Sequence, residues 1–118
     1  ITTRRSIIAK RGPVLGRFMR AMAEAAKIVH TDKDSTFKIL GKYLRIDDRA
    51  LLDASYNVEI KALEPRLALK PEGIQSTLDE IAPTEPRAKT VKPQEMIDTR
   101  YLDEMDKSGF FDQIWGRK

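Results

Sequence analysis

Beyond Pro13 the apolar side chains recur at helical spacing. Val14, Phe18, Met22, Ala25 and Val29 form one row, with Leu15, Met19 and Ala26 beside it. Arg17, Arg20, Glu24 and Lys27 fall mostly on the other side. Pro13 suits a first helical turn, where no N–H is needed, and the Ala- and Met-rich run has high helix propensity. The pattern predicts a helix over residues 13–30. Thr31-Asp32-Lys33-Asp34 is a polar break, and Asp32 or Asp34 can cap the next helix by accepting from exposed N–H groups. Phe37, Leu40 and Leu44 mark a short helix near 35–45. Asp47-Asp48 is a second capping signal, and Leu51, Leu52, Tyr56 and Leu63 define a third helix near 48–63, stopped by Pro65.

Lys70-Pro71-Glu72 opens a fourth helix, with proline early and an acid in the first turn, where the helix dipole favours it. Its stripe is narrow (Ile74, Leu78, Ile81), and Pro83 ends it. Residues 82–92 hold two prolines and no apolar period, which predicts an extended surface connection. Ile97, Tyr101, Leu102 and Met105 suit a helix near 98–107. Ser108-Gly109 stops it, with glycine able to turn left-handed. Phe110, Phe111, Ile114 and Trp115 then predict a short docking turn over the core. At the other end, Ile1–Thr3 suit a strand, Ser6–Lys10 a helical turn, and Gly12-Pro13 a break in the chain. The expected fold is mostly α, an array of four or five short helices, with room for one short N-terminal strand.

Length adds that 118 residues make one compact domain, 1–118. Hydrophobic residues at 41% and charged residues at 34% suit a soluble globular chain. No apolar run reaches the roughly 20 residues of a membrane-spanning helix. The first residues are polar and basic, unlike a secretory leader. The charge is uneven. Six of the 22 Lys and Arg (Arg4, Arg5, Lys10, Arg11, Arg17, Arg20) lie in the first 20 residues with no acid, leaving 16 basic against 18 acidic side chains in the remainder. Such a patch attracts phosphates by counterion release, but a solvated face explains it as well.

Catalytic chemistry is hard to assemble from these residues. There is no cysteine, hence no disulfide, thiolate metal site or thiol nucleophile. The single histidine, His30, closes the first predicted helix, where a cationic ring stabilises the C-terminus. The glycines are isolated, so no phosphate loop forms, and no serine sits in a nucleophile elbow beside His30. Asp47/Asp48, Asp79/Glu80 and Asp103/Glu104/Asp106 are neighbours in sequence that diverge on a helix and read as caps and solvated faces. No catalytic, metal-ligating or cofactor-binding residue is expected. Residues 35–63 have helix-turn-helix spacing with Lys42, Arg45, Arg49 and Lys61. Asp48, Asp53 and Glu59 on the second helix would repel phosphate and argue against nucleic acid.

Whole segments carry a resemblance. The run FMRAMAEAAKIVHTDKDSTFKILGKYLRIDD, the triplet Asp48, Leu52 and Tyr56, the segment PEGIQSTLDEIA with Glu72–Gln75, and the ending MIDTRYLDEMDKSGFFDQIW with Asp98, Arg100, Leu102 and Ser108–Phe110 succeed one another over residues 13–115. In that order they resemble the C-terminal part of substrate-binding proteins of ABC-type importers, in the nitrate, sulfonate, taurine and thiamine-precursor group. The resemblance implies a periplasmic or extracytoplasmic receptor that captures a small organic or oxyanion solute between two α/β lobes and delivers it to a membrane permease. It also implies a parent fold of the periplasmic-binding-protein type, about twice this length or more. The matched positions are packing positions, so no ligand-contacting residue carries over. Arg4 or Arg5 would face an anionic ligand if Ile1–Arg5 were a strand at the lobe junction. A segment with uncovered surfaces is expected to self-associate or to bind a companion chain. The alternative is a helical interaction module without a transport role.

Overall fold

The computed structural model describes residues 1–116, and every regular element among them is helical. Among these residues, seven α-helices succeed one another in chain order: α1 (Arg5–Thr31), α2 (Lys33–Leu44), α3 (Arg49–Ala62), α4 (Pro71–Ile81), α5 (Pro93–Met96), α6 (Arg100–Lys107) and α7 (Phe110–Trp115). A 3-10 turn (Pro86–Thr90) lies between α4 and α5. The short strand that Ile1–Thr3 would suit does not form.

The largest departure from expectation is the start of α1. The helix begins at Arg5, and Gly12-Pro13 bends it without ending it. Pro13 lacks the N–H that would bond the carbonyl of Ala9, and its ring crowds that turn. The chain relieves this at Arg11, which leaves helical geometry (φ −130°, ψ 29°) before the helix resumes. Capping then punctuates the chain as the acids predict. Asp32 accepts from the Ser35 N–H at 3.0 Å at the start of α2. Asp48 accepts from the Ala50 and Leu51 N–H groups at 2.8 and 3.1 Å at the start of α3. The α2 terminus needs Gly41. Arg45 takes a left-handed φ of 56°, Ile46 donates back to the Gly41 carbonyl at 3.1 Å, and a Cβ on Gly41 would stand only 3.0 Å from the Ile46 oxygen.

Residues 82–92 are more ordered than the extended connection expected. Glu85 caps the 3-10 turn by accepting from the Arg87 N–H, and Ala88 is buried beneath it. Pro86 and Pro93 each sit in the first turn of a short helical element, where proline costs nothing. Pro86, expected in an extended connection, instead starts a turn.

Burial is divided among three small apolar clusters. In the first, α6 and α7 pack on α1, and Ala23, Met105 and Phe111 are enclosed by Met19, Leu67, Leu102, Phe110, Ile114 and Trp115. In the second, Phe37 of α2 and Leu52 of α3 are buried, and Tyr56 meets Phe37 edge-on at 5.6 Å. The third contains Leu78, Ala88 and Pro93 on α4, the 3-10 turn and α5, where α4 packs on both of the shorter elements. Tyr56 joins the second cluster to α1 by donating to the Val29 carbonyl at 2.7 Å. His30 does the same for the end of α3, its Nε2–H donating to the Leu63 carbonyl at 2.9 Å.

The assembly is open. Its radius of gyration is 17.0 Å, where a compact chain of this length has about 13–14 Å. It exposes 9245 Å², whereas a compact monomer of 13.5 kDa exposes about 6,500 Å².

Candidate functional site

The basic N-terminal residues do not converge. Arg5 donates to the Glu95 carbonyl at 3.0 Å and ties the start of α1 to α5. Arg20 pairs with Glu104 and lies 4.8 Å over the Phe110 ring, which ties α1 to α6 and α7. Arg4, Lys10, Arg11 and Arg17 are exposed. The strand that would have carried Arg4 and Arg5 to a lobe junction is absent, and Arg5 is engaged with the backbone.

His30 sits in a structural bridge. Besides its bond to Leu63, its ring meets Trp115 edge-on at 5.7 Å. Because a carbonyl only accepts, Nε2 must carry the proton.

The turn between α2 and α3 frames an open groove of 390 Å³, lined in part by Phe37, Lys38, Gly41, Lys42, Asp47 and Leu52. Of the charged side chains that line it, Arg49 and Asp34 neutralise each other, while Lys38, Lys42 and Asp47 have no ion-pair partner among the described residues. Arg49 pairs with Asp34 at 2.9 Å, and Lys33 pairs with Asp53 while lying over Phe37 and Tyr56. A surface that reads DNA needs its cations free to meet phosphates, and of Lys42, Arg45, Arg49 and Lys61 only Arg49 is held by an acid among the described residues.

The perturbed carboxyl groups all favour their charged form. Ser35 backbone and side-chain hydrogen bonds hold Asp32 below its ordinary value. The Lys33 ammonium does so for Asp53, Arg87 for Glu85, and Arg100 for Asp98. Lys70 is raised by the Glu64 carboxylate. Caps and ion pairs shift groups in this direction. A general acid at neutral pH needs the opposite, a carboxyl pushed up by burial or by a like charge. Among the described residues no three His, Cys, Asp or Glu side chains gather where they could hold a metal ion.

What the fold does assemble is an apolar surface. On α1, Val14 is 50% exposed, Phe18 47% and Ile28 41%, with Ala21 and Ala25 open between them. The row Val14–Phe18–Met22–Ala25–Val29 singled out by periodicity is therefore mostly uncovered. The buried face is the neighbouring one, with Met19 and Ala23 under α6 and α7 and Ala26 also buried. Both arcs of α1 are apolar, so its period alone could not say which arc would be covered. The cue lay in the width of the apolar arc, which exceeds what one small layer of helices can cover.

The chain matches no family model, no curated protein and no solved structure.

Proposed function

We propose that this chain is the C-terminal portion of a solute-binding receptor serving an ABC-type importer, a recognition component without turnover. Its parent would be a two-lobed fold of the periplasmic-binding-protein type, in a periplasmic or extracytoplasmic space, with a small organic or oxyanion solute and a membrane permease as partners. The observation that carries the reading is the ordered run of receptor-like segments, whose matched residues fall at structural positions of successive helices. Asp48 caps α3, Leu52 is buried, and Tyr56 bonds Val29. Glu72–Gln75 lie in the opening turns of α4. Asp98 accepts from both the backbone N–H and the Nε–H of Arg100, and Leu102 flanks the first cluster. Ser108 donates to the Met105 carbonyl, and Gly109 takes φ 73° ahead of Phe110.

The uncovered row of α1 supports the same reading, since a segment built to lie against further polypeptide keeps an apolar face for it. No helix among the described residues is long and apolar enough to cross a membrane. The open face also favours a second reading, a helical interaction module with no transport role. The reading frame upstream of Ile1 separates the two. A frame that encodes two α/β lobes behind a secretory leader supports the receptor, and a stop codon just upstream contradicts it. With the receptor-length product in hand, a thermal-shift screen against sulfonates, nitrate, pyrimidines and aromatic acids gives a raised midpoint for the cognate solute.

A further inference from the structure

After the bend at Arg11, the open row of α1 takes the steps of a coiled-coil seam. Val14, Phe18, Ala21, Ala25 and Ile28 alternate spacings of four and three, the 3.5-residue period that keeps one stripe facing a second helix. The stripe spans about 21 Å of helix. Two large side chains at its beginning are succeeded by two small ones. Antiparallel alignment about a two-fold axis puts Phe18 against Ala21 of the second copy and Val14 against Ala25 of the second copy, large against small in these four central layers, while Ile28 falls beyond them, beside the bend at Arg11 of the second copy. Parallel alignment would set Phe18 against Phe18 and leave Ala21 and Ala25 facing each other across a gap.

The flanking charges select the same register. Arg17 and Glu24 lie beside the stripe, both exposed, and neither has an ion-pair partner among the described residues. In the antiparallel register Arg17 stands opposite Glu24 of the second copy, and the pairing occurs twice by symmetry. The chain by itself exposes 9245 Å², roughly 2,700 Å² beyond a compact monomer, a total over the whole chain to which the open row of α1 contributes.

We propose that two copies of this chain associate through α1, antiparallel, with Phe18 packed against Ala21 and Arg17 paired with Glu24 across the two-fold axis. This concerns the 118-residue chain by itself and does not rest on the receptor reading, in which companion polypeptide would cover the same row. Sedimentation equilibrium reads the stoichiometry, and the absence of native cysteine makes single-cysteine variants clean reporters of the register. The Ala21 positions of the two copies lie about 5 Å apart along the axis and the Ile28 positions about 25 Å apart. Ala21→Cys is therefore expected to form an intermolecular disulfide and Ile28→Cys is not. Arg17→Glu weakens association about tenfold, because two attractive pairs become two repulsive ones, and Arg17→Glu with Glu24→Arg restores it. A chain that stays monomeric at high micromolar concentration overturns the proposal. So does equal cross-linking at both cysteine positions, or a double variant that associates no better than Arg17→Glu.

Discussion

Truncating Met105 to alanine probes the first apolar cluster where it is tightest. The side chain is 1% exposed, and it packs with Ala23 and Phe111 inside a ring of Met19, Leu67, Leu102, Phe110, Ile114 and Trp115. Removing a buried methionine down to Cβ costs the lost transfer energy plus a cavity, about 2–5 kcal/mol. The low end holds if the neighbours collapse. Here they collapse poorly, because Arg66 bonds Asp106 of α6 at 2.9 Å and Asp112 of α7 at 3.0 Å and fixes the two helices around the gap. About 3 kcal/mol is expected. With a urea slope of about 1.5 kcal/mol per molar, the midpoint falls by about 2 M. Trp115 is the single tryptophan and borders the cluster, so its fluorescence reports on this region directly. Leu44→Ala, at a side chain 59% exposed, is the control and shifts the midpoint little. Met105→Leu, nearly volume-conserving, costs less than about 1.5 kcal/mol. Equal shifts for Met105→Ala and Leu44→Ala would refute the placement of the core between α1, α6 and α7.

Gly41 and Gly73 make a matched pair: Gly41→Ala destabilises because its Cβ meets the Ile46 oxygen at 3.0 Å, whereas Gly73→Ala, with nothing within 4 Å in α4, stabilises by about 0.5–1 kcal/mol, both read from thermal midpoints. Asp48→Ala leaves the Ala50 and Leu51 N–H groups without their acceptor and lowers stability by about 1 kcal/mol in urea titration. Tyr56→Phe removes the bond to Val29 and costs about 0.5–1.5 kcal/mol, with faster amide exchange at the C-terminal end of α1. Acid should weaken the fold through its caps and ion pairs. Asp32, Asp53 and Asp98 lie below their ordinary value of 3.8 when folded, so their contribution is present above that pH and is lost as pH falls through the lowered values. Asp32→Asn, monitored by circular dichroism from about pH 5 downward, flattens that acid-side loss.

The signals that survive the move from sequence to structure are local ones. Asp48 caps α3, Pro71 starts α4 and Gly109 turns left-handed, because each depends on one residue's own chemistry and its next few neighbours. Gly12-Pro13 misleads because the cost of a proline inside a helix can be met by one bent residue when the helix on both sides has something to hold. Here Arg5 is bonded to Glu95, and Gly12 and Gly16 face Tyr101. The covered side of α1 was not legible for a different reason. Met19 and Ala23 are chosen over Val14, Phe18 and Ala25 by where α6 and α7 land, and those helices arrive from some eighty residues later in the chain. His30 is expected at a helix end, and it is there. Its bond to Leu63 depends on the distant end of α3, which no local pattern encodes.

Ala25 and Ala26 are adjacent in sequence and lie on opposite sides of the divide, the first exposed and the second 3% exposed. Thiol labelling of Ala25→Cys and Ala26→Cys, each in the cysteine-free chain and under native conditions at high dilution, tests the two-faced α1 most directly. The account predicts that the cysteine at 25 reacts at nearly the rate of the unfolded chain and the cysteine at 26 reacts only after the helices open. Equal rates, or protection at 25 with ready reaction at 26, would contradict it.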